Sequence, residues 1–267
     1  MNDLTPRRLQ LIDCQEDGEE TRHYHLRIEQ PRAEDLAAVP GQFFMLTVPG
    51  CGEAPFTYVR LPDGAGYFEA SIRRAGALTA ALFALQPGAV LGYRGPFGQG
   101  WPLLLGVRRL LIVAGGCGLA PLASVLDEVA RHALPLHLSV LYGARHGAAQ
   151  ILRRERARWQ RTMPFIETFD QARQGQRQGT VLAHLDELFA DQPPDALFVC
   201  GPEGLMRATA EACLGRGLAA EKIWLSVERR MQCAVGLCGH CYLGASYACV
   251  DGPTYRYDRY RALAGCC

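Results

Sequence analysis

Residues 108–133, RRLLIVAGGCGLAPLASVLDEVARHA, decide the fold. Leu110 to Ala114 form an unbroken apolar run, the pattern of a strand buried on both faces, and not the alternation of a half-exposed one. Gly115, Gly116 and Gly118 then turn the chain into an amphipathic helix. Strand, glycine turn and helix make the opening unit of a parallel α/β sheet. The glycines let backbone N–H groups approach a pyrophosphate, and the helix start adds positive potential. Many α/β folds use such a turn for tight packing alone, so it needs support from elsewhere in the chain.

That support lies downstream. LPLHLSVLYGAR (134–145), PFIETF (164–169), DALFVCG (195–201) and KIWLSVE (222–228) read as strands, with helices over VLAHLDELFA (181–190) and EGLMRATAEACLGRG (203–217). The alternation predicts a doubly wound parallel sheet. In VCGPEGLM (199–206) a buried strand ends at Cys200-Gly201-Pro202 and a helix begins, and ligands bind at such carboxyl ends of strands. Upstream the period changes. LQLIDC, HYHLRIEQ, QFFMLTVPG, FTYV, YFEASIRR and AVLGYRGPFG are short alternating runs broken by Gly and Pro, which suit an antiparallel barrel. LTAALFAL, after Gly76, is the one convincing helix of that half. The expected class is β followed by α/β, with domains at 1–103 and 104–228 and a cysteine-rich tail at 229–267.

Bulk composition narrows the function. With 267 residues and 49% hydrophobic content the chain can bury a substantial core, and a net charge of +1 gives no basic surplus for nucleic acid or an anionic membrane. The N-terminal segment lacks the apolar core of a signal peptide, and the longest apolar runs are too short to span a bilayer, so the expectation is a cytoplasmic protein. Eleven cysteines do not make a disulfide scaffold in such a chain. Cys233, Cys238, Cys241 and Cys249 fall within seventeen residues, spaced C-x4-C-x2-C-x7-C, while Cys266 and Cys267 end the chain without an assigned role.

The loop CAVGLCGHCYLGASYAC wraps three closely spaced thiolates around a small cluster, with a more distant fourth closing the cage, as in plant-type [2Fe-2S] ligation. Structural zinc is the competing reading, but zinc sites normally use two separated ligand pairs. Gly236, Gly239 and Gly244 suit amides that approach sulfur. The tail is too short for its own core, so bound metal would organise it. No Ser-His-Asp, Cys-His or paired-carboxylate arrangement is legible.

With both glycine turns and the cysteine loop in view, the chain resembles the ferredoxin-reductase-like flavoproteins along essentially its whole length. The resemblance implies an FAD-binding barrel before an NAD(P)-binding domain, with GGCGLAP (Gly115, Gly116, Gly118 and Pro121) and Cys200-Gly201-Pro202 as the nicotinamide signatures. PGQFFML looks like the turn and strand before the flavin. Pro55, Phe56, Thr57 and Tyr58 lie where the family's flavin-contacting Arg-x-Tyr-Ser segment falls, with Glu53 or Ala54 in place of its arginine. Gly76, Ala77, Leu78 and Thr79 resemble the FAD pyrophosphate loop, and Arg73 or Arg74 takes over the phosphate contact. Only one of these two arginines can face FAD, since neighbours on a strand point oppositely. Thr57 and Thr79 also have an ordinary reading, as strand and capping residues. The resemblance implies hydride transfer near Thr57 and Cys200. Arg145 favours a 2′-phosphate and Asp170 an unmodified ribose, which leaves the dinucleotide as NAD(P).

SVERRMQCAVGLCGHC followed by YACVDGPTYRYD is similar to the cluster tails of gamma subunits of cytoplasmic NAD(P)-linked nickel-iron hydrogenases and of the anaerobic sulfite reductase flavin subunit, and less so to dihydroorotate dehydrogenase electron-transfer subunits. The implied role is a diaphorase subunit relaying electrons between NAD(P)H, FAD, the cluster and an iron–sulfur partner. A stand-alone NAD(P)H:ferredoxin reductase and a zinc-stabilised dinucleotide-binding regulatory module are the alternatives. The three tyrosines of CVDGPTYRYDRYRAL fit either burial against a neighbouring subunit or packing on the chain's own domain.

Overall fold

The computed structural model describes residues 4–265 apart from Leu104, Ala133, Asp191 and Gln192; the terminal Cys266 and Cys267 lie outside the described residues. The N-terminal half forms one six-stranded antiparallel sheet from β1 (Arg7–Glu16), β2 (Thr21–Ile28), β3 (Phe43–Val48), β4 (Gly52–Thr57), β5 (Tyr67–Arg73) and β6 (Val90–Phe97), in the order β4-β3-β6-β1-β2-β5. Alternation builds it. In β5, Phe68, Ala70 and Ile72 point inward and are at most 1% exposed, while their neighbours face outward. The two outer strands meet where Val59 and Arg60, just past β4, exchange backbone hydrogen bonds with Glu69, and the sheet rolls into a barrel. A short helix α1 (Ala33–Leu36) follows β2, and α2 (Ala77–Ala84), the helix expected after Gly76, packs against β3 and β4.

The second half is the α/β sheet expected from residues 108–133. Its strands are β7 (Arg109–Gly115), β8 (His137–Ala144), β9 (Phe165–Phe169), β10 (Arg177–Gln178), β11 (Ala196–Cys200) and β12 (Ile223–Ser226), with helices α3 (Ala120–Arg131), α4 (Arg153–Trp159), α5 (Leu185–Phe189) and α6 (Glu203–Leu214). These strands run parallel in the order β10-β9-β8-β7-β11-β12, so the winding direction reverses between β7 and β11. Such a switch point opens a crevice at the carboxyl ends of its two strands. Residues 181–190 do not form one helix: a 3-10 turn at Val181–His184 precedes α5, and His184, at φ −115°, separates the two.

After Glu228 come a small hairpin, β13 (Tyr242–Leu243) and β14 (Ser246–Tyr247), then β15 (Thr254–Arg256) and α7 (Tyr257–Ala264). β15 pairs antiparallel with β12 and becomes the edge of the α/β sheet. Tyr255, Tyr257 and Tyr260 are 1–2% exposed, and the hydroxyls of Tyr257 and Tyr260 donate to Glu211 and Glu203 of α6. Of the two sequence readings, packing on the chain's own domain is the one these tyrosines adopt. One apolar core joins Phe43 and Met45 of the barrel, Val113 and Val199 of the sheet, and Ala234, Leu243 and Ala248 of the cysteine loop.

Barrel and sheet are also tied by the turn between β1 and β2. Asp17 accepts hydrogen bonds from the amides of Leu152 (2.8 Å) and Arg153 (3.0 Å) at the start of α4, and Glu19 N donates to Ala148 O at 2.7 Å. Behind Asp17, His23 is 2% exposed, with Nε2 3.0 Å from Glu69 and Nδ1 3.7 Å from Asp17. Burial opposes a charge on His23, but hydrogen bonds to Asp17 and Glu69 more than offset it and raise its pKa to about 9, while both carboxyls are lowered. A histidine whose pKa is raised on folding contributes stability that is complete below its ordinary value of 6.5 and lost as pH rises through 9. The contribution amounts to at most about 3 kcal/mol. Thermal unfolding of the native chain should therefore show Tm falling between pH 7 and 10, and His23→Gln should flatten that part of the profile; an unchanged slope would remove His23 from the tie.

Candidate functional site

Two turns meet at the switch point. The chain leaving β7 passes through a 3-10 turn, Gly116–Leu119, before α3, and the chain leaving β11 turns at Gly201 and Pro202 into α6. The two backbones touch. A Cβ on Gly118 would lie 2.4 Å from the carbonyl oxygen of Cys200, and Gly201, at φ 151°, sits against Gly115. No other residue type fits at 118 without moving the backbone, which gives the sequence GGCG a packing reason alongside any ligand.

Above these turns lies a cleft of about 680 Å3, bounded on the sheet side by Gly115, Gly116, Gly118, Gly201 and Pro202, and on the barrel side by Arg73, Arg74 and Ala75. Arg145 and Asp170 reach its far end, both exposed, because β8 and β9 run side by side and Asp170 N donates to Ala144 O at 3.1 Å. Seven nicotinamide-side positions proposed from sequence thus line one cleft. A larger apolar groove, about 900 Å3, lies beside Trp101, Phe198 and Trp224 and includes neither glycine turn.

The two adjacent arginines separate as strand geometry requires. Arg74 forks onto both oxygens of Glu20 in an exposed ion pair, whereas no carboxylate pairs with Arg73 among the described residues. The charge of Arg73 acts on Cys117 in the glycine turn, partly countering the burial that pushes this thiol up. Arg73 therefore faces across from barrel to sheet.

Other sequence-stated positions lie elsewhere. Pro121 sits inside the first turn of α3, with its carbonyl accepting from Trp101 Nε1 at 2.8 Å, and does not line the cleft. The Cys200 side chain is 1% exposed within the sheet core; burial raises its pKa to about 12, so the thiol stays protonated. In the barrel, Pro55 to Tyr58 divide between faces: Tyr58 is buried and bonded to the Tyr93 hydroxyl at 2.7 Å, whereas Thr57 is partly exposed, its hydroxyl 3.3 Å from Gln42 O. Thr79 Oγ1 accepts from the amides of Ala75 (2.9 Å) and Gly76 (3.0 Å), which is the capping role, and its hydroxyl donates to Gly76 O. Ala77 and Leu78 form the first turn of α2 next to Ala75, so this loop borders the cleft.

Glu20, Thr180 and Glu228 also line the cleft, and sequence reasoning missed them. They come from three separate loops, and no spacing in the chain signals that they converge.

The cysteine loop is the second site. Amides of Val235, Leu237 and Cys238 lie 3.3–3.5 Å from Cys233 Sγ, and that of Gly236 is 3.3 Å from Cys249 Sγ. Ala234, Gly236, Gly239 and Gly244 all have φ between 55° and 75°, which turns successive N–H groups inward. A concavity of amides facing sulfur suits an anionic iron–sulfur cluster held by the four thiolates. The amides of His240 and Cys233 lower the Cys238 pKa to about 7, while burial raises that of Cys249 to about 12. Cys241 and Cys249 are buried in the core shared with the barrel, and Cys238 faces solvent. His240 Nδ1 lies 3.1 Å from Cys238 O and its side chain is exposed, not directed among the thiols.

Comparison with known proteins agrees with this division. Residues 8–101 match an oxidoreductase FAD-binding domain, residues 112–211 an oxidoreductase NAD-binding domain, and residues 228–260 the iron-sulfur cluster binding domain of dihydroorotate dehydrogenase B. The chain is 33% identical to the sulfhydrogenase 1 subunit gamma of Pyrococcus furiosus, covering 86% of this chain and 84% of that one. It is 31% identical to a probable dihydroorotate dehydrogenase B (NAD(+)) electron transfer subunit of Methanopyrus kandleri, covering 96% and 92%. In fold it is similar to a chain in the solved structure of NADH-dependent reduced ferredoxin-NADP oxidoreductase, with a TM-score of 0.78 and 21% identity over 99% of this chain and 94% of that one.

Gly118→Ala tests the contact between the two turns. The added methyl must displace backbone at Cys200, and the expected cost is about 1–3 kcal/mol of stability, together with weakened dinucleotide binding. Thermal unfolding and dinucleotide titration read these, and a variant matching the native chain in both would show that the two turns are not locked together.

Proposed function

Because the chain belongs to the ferredoxin-reductase-like flavoproteins with an iron–sulfur domain after the nicotinamide domain, alongside sulfhydrogenase gamma and dihydroorotate dehydrogenase electron-transfer subunits, we propose that it is the NAD(P)H-oxidising, diaphorase-type subunit of a larger complex. It would hold a [2Fe-2S] cluster on Cys233, Cys238, Cys241 and Cys249. When bound, a nicotinamide supplies or accepts hydride, a flavin handles both paired and single electrons, and a cluster passes them singly.

The residues divide this work. Gly116, Gly118 and Gly201 would let backbone amides approach the dinucleotide pyrophosphate, with Arg73 as the cation opposite them. The start of α2 at Gly76 to Leu78 would serve the FAD phosphates in the same way, and Thr57 would meet the flavin ring at the mouth of the barrel. Cys200, held protonated, would pack behind the nicotinamide as a small neutral wall and not as a nucleophile. Asp170 and Arg145 would sort NAD from NADP. In turnover assays Arg145→Ala should raise KM for NADPH several-fold and leave KM for NADH nearly unchanged; equal effects on both would assign Arg145 no role in that choice.

One observation carries the relay. The cysteine loop has a buried half, Cys241 and Cys249, in the core it shares with the flavin barrel, and an open half around Cys238. Electrons can thus enter from one side and leave from the other. The open side is ringed by Leu237, Tyr242, Tyr247 and Val250, between 41% and 75% exposed. Apolar and tyrosine surface around an exposed thiolate suits docking of a redox partner. The partner we propose is an iron–sulfur subunit of hydrogenase type, in the cytoplasm; no helix among the described residues is long and apolar enough to cross a membrane. The match of residues 228–260 favours a dihydroorotate dehydrogenase-type partner as the second reading.

Cys238→Ala should abolish the paramagnetic signal of the reduced cluster while flavin stays bound, and a normal signal would refute the ligand assignment. The isolated chain should oxidise NADH or NADPH with an artificial dye yet consume no hydrogen. A stable monomer that rapidly reduces free ferredoxin would instead make it a stand-alone reductase.

A further inference from the structure

Glu53, on β4, occupies the region where the family motif carries an arginine, and its carboxylate reaches across β3 to a partner two strands away in the sheet. Arg94, on β6 and 6% exposed, donates Nε to Glu53 Oε1 at 3.0 Å and Nη2 to the other oxygen. Its remaining amine, Nη1, leaves the barrel and donates to the carbonyl of Cys233 at 3.1 Å, and Nη2 lies 3.5 Å from the carbonyl of Gln232. The guanidinium also sits 5.6 Å from the centre of the Phe97 ring. One side chain thus joins the barrel to the backbone of the first cysteine in the loop. The joint falls where the loop is most demanding, since Ala234, immediately after, holds φ 65° without being glycine.

Further along, Gln99 N donates to Gly252 O at 2.6 Å, Gln99 Nε2 to Val250 O at 3.0 Å, and Thr254 Oγ1 to Gly100 O at 2.6 Å. Those bonds hold the exit limb of the loop, and Arg94 holds the entry limb. Only Arg94 brings a full charge. A planar guanidinium can fork onto a carboxylate and still present a third donor, which a lysine ammonium cannot do in the same geometry.

We propose that Arg94 is a positioning residue for the cysteine loop and that the Arg94–Glu53 pair sets the reduction potential of the cluster held there; this rests on the [2Fe-2S] reading of Cys233, Cys238, Cys241 and Cys249. Reduction adds one negative charge at the thiolate cage. The buried cation stabilises that charge and the anion opposes it, because screening is weak away from water. Removing either member alone therefore moves the potential, and in opposite directions.

The test uses purified holoprotein, with flavin and iron content measured first and the cluster followed by paramagnetic resonance during a potentiometric titration. Arg94→Gln should lower the cluster potential and speed iron loss to a chelator several-fold. Glu53→Gln should raise the potential. Arg94→Lys should restore most of the potential, since the charge returns, but not the slow iron loss, since the fork does not. Potentials that stay at the native value, or move in the same direction in Arg94→Gln and Glu53→Gln, would overturn the proposal. Should Arg94→Gln fail to fold, Glu53→Gln decides: a raised potential supports the pair's role, and an unmoved or lowered one overturns it. A native chain with flavin but no [2Fe-2S] signal would instead overturn the cluster reading on which the proposal stands.

Discussion

A loop of backbone amides and thiols cannot hold its own shape against water, and the cysteine segment has too few apolar residues to form a separate core. Its order depends on being embedded in a core that other parts of the chain supply. Phe43 and Met45 come from the barrel, Val113 and Val199 from the sheet, and Ala234, Leu243 and Ala248 from the loop itself. Burial of this shared surface fixes three segments relative to one another at once. Cofactor sites built on any two of them inherit a common frame, which is the requirement for passing electrons without a mobile carrier.

Electrostatics refine that frame where packing alone would leave it loose. Asp17, backed by His23 and Glu69, caps the start of α4 and ties the first hairpin of the barrel to the sheet. Arg94 performs a comparable service for the cysteine loop. Both are buried charges with more than one partner, and such groups penalise every alternative arrangement that would leave them unpaired. Arg73 is the exception. It lines the cleft exposed to solvent and with no ion pair to a carboxylate among the described residues, so its guanidinium is available to an anionic ligand there.

The sequence made some of this legible and hid the rest for physical reasons. The switch point could be read because its requirements are local: an apolar strand, then glycines where two backbones touch, as at Gly118 and Cys200. The four cysteines proposed to hold the cluster stood out equally plainly, since residue type and spacing carry the chemistry. Thr79 illustrates the opposite case. Its position in the first turn of a helix suits both a phosphate contact and a capping bond, and only the amides of Ala75 and Gly76 decide for the cap. Tyr255, Tyr257 and Tyr260 were ambiguous in the same way until α6 offered Glu203 and Glu211. The partnership of Glu53 with Arg94, forty-one positions apart, and the convergence of Glu20, Thr180 and Glu228 depend on how strands pair, which no short window encodes.

The return of β15 beside β12 has a topological consequence. Ser226 and Thr254 are paired neighbours in one sheet, so the segment between them leaves and re-enters the fold at almost the same point. It is a closed excursion and not a free tail. Metal bonds within it subdivide an already closed ring, so they confine less chain freedom than they would in a dangling end. Its two ends are held in register by the sheet itself, through the pairing of β12 with β15, and not by the cysteines between them.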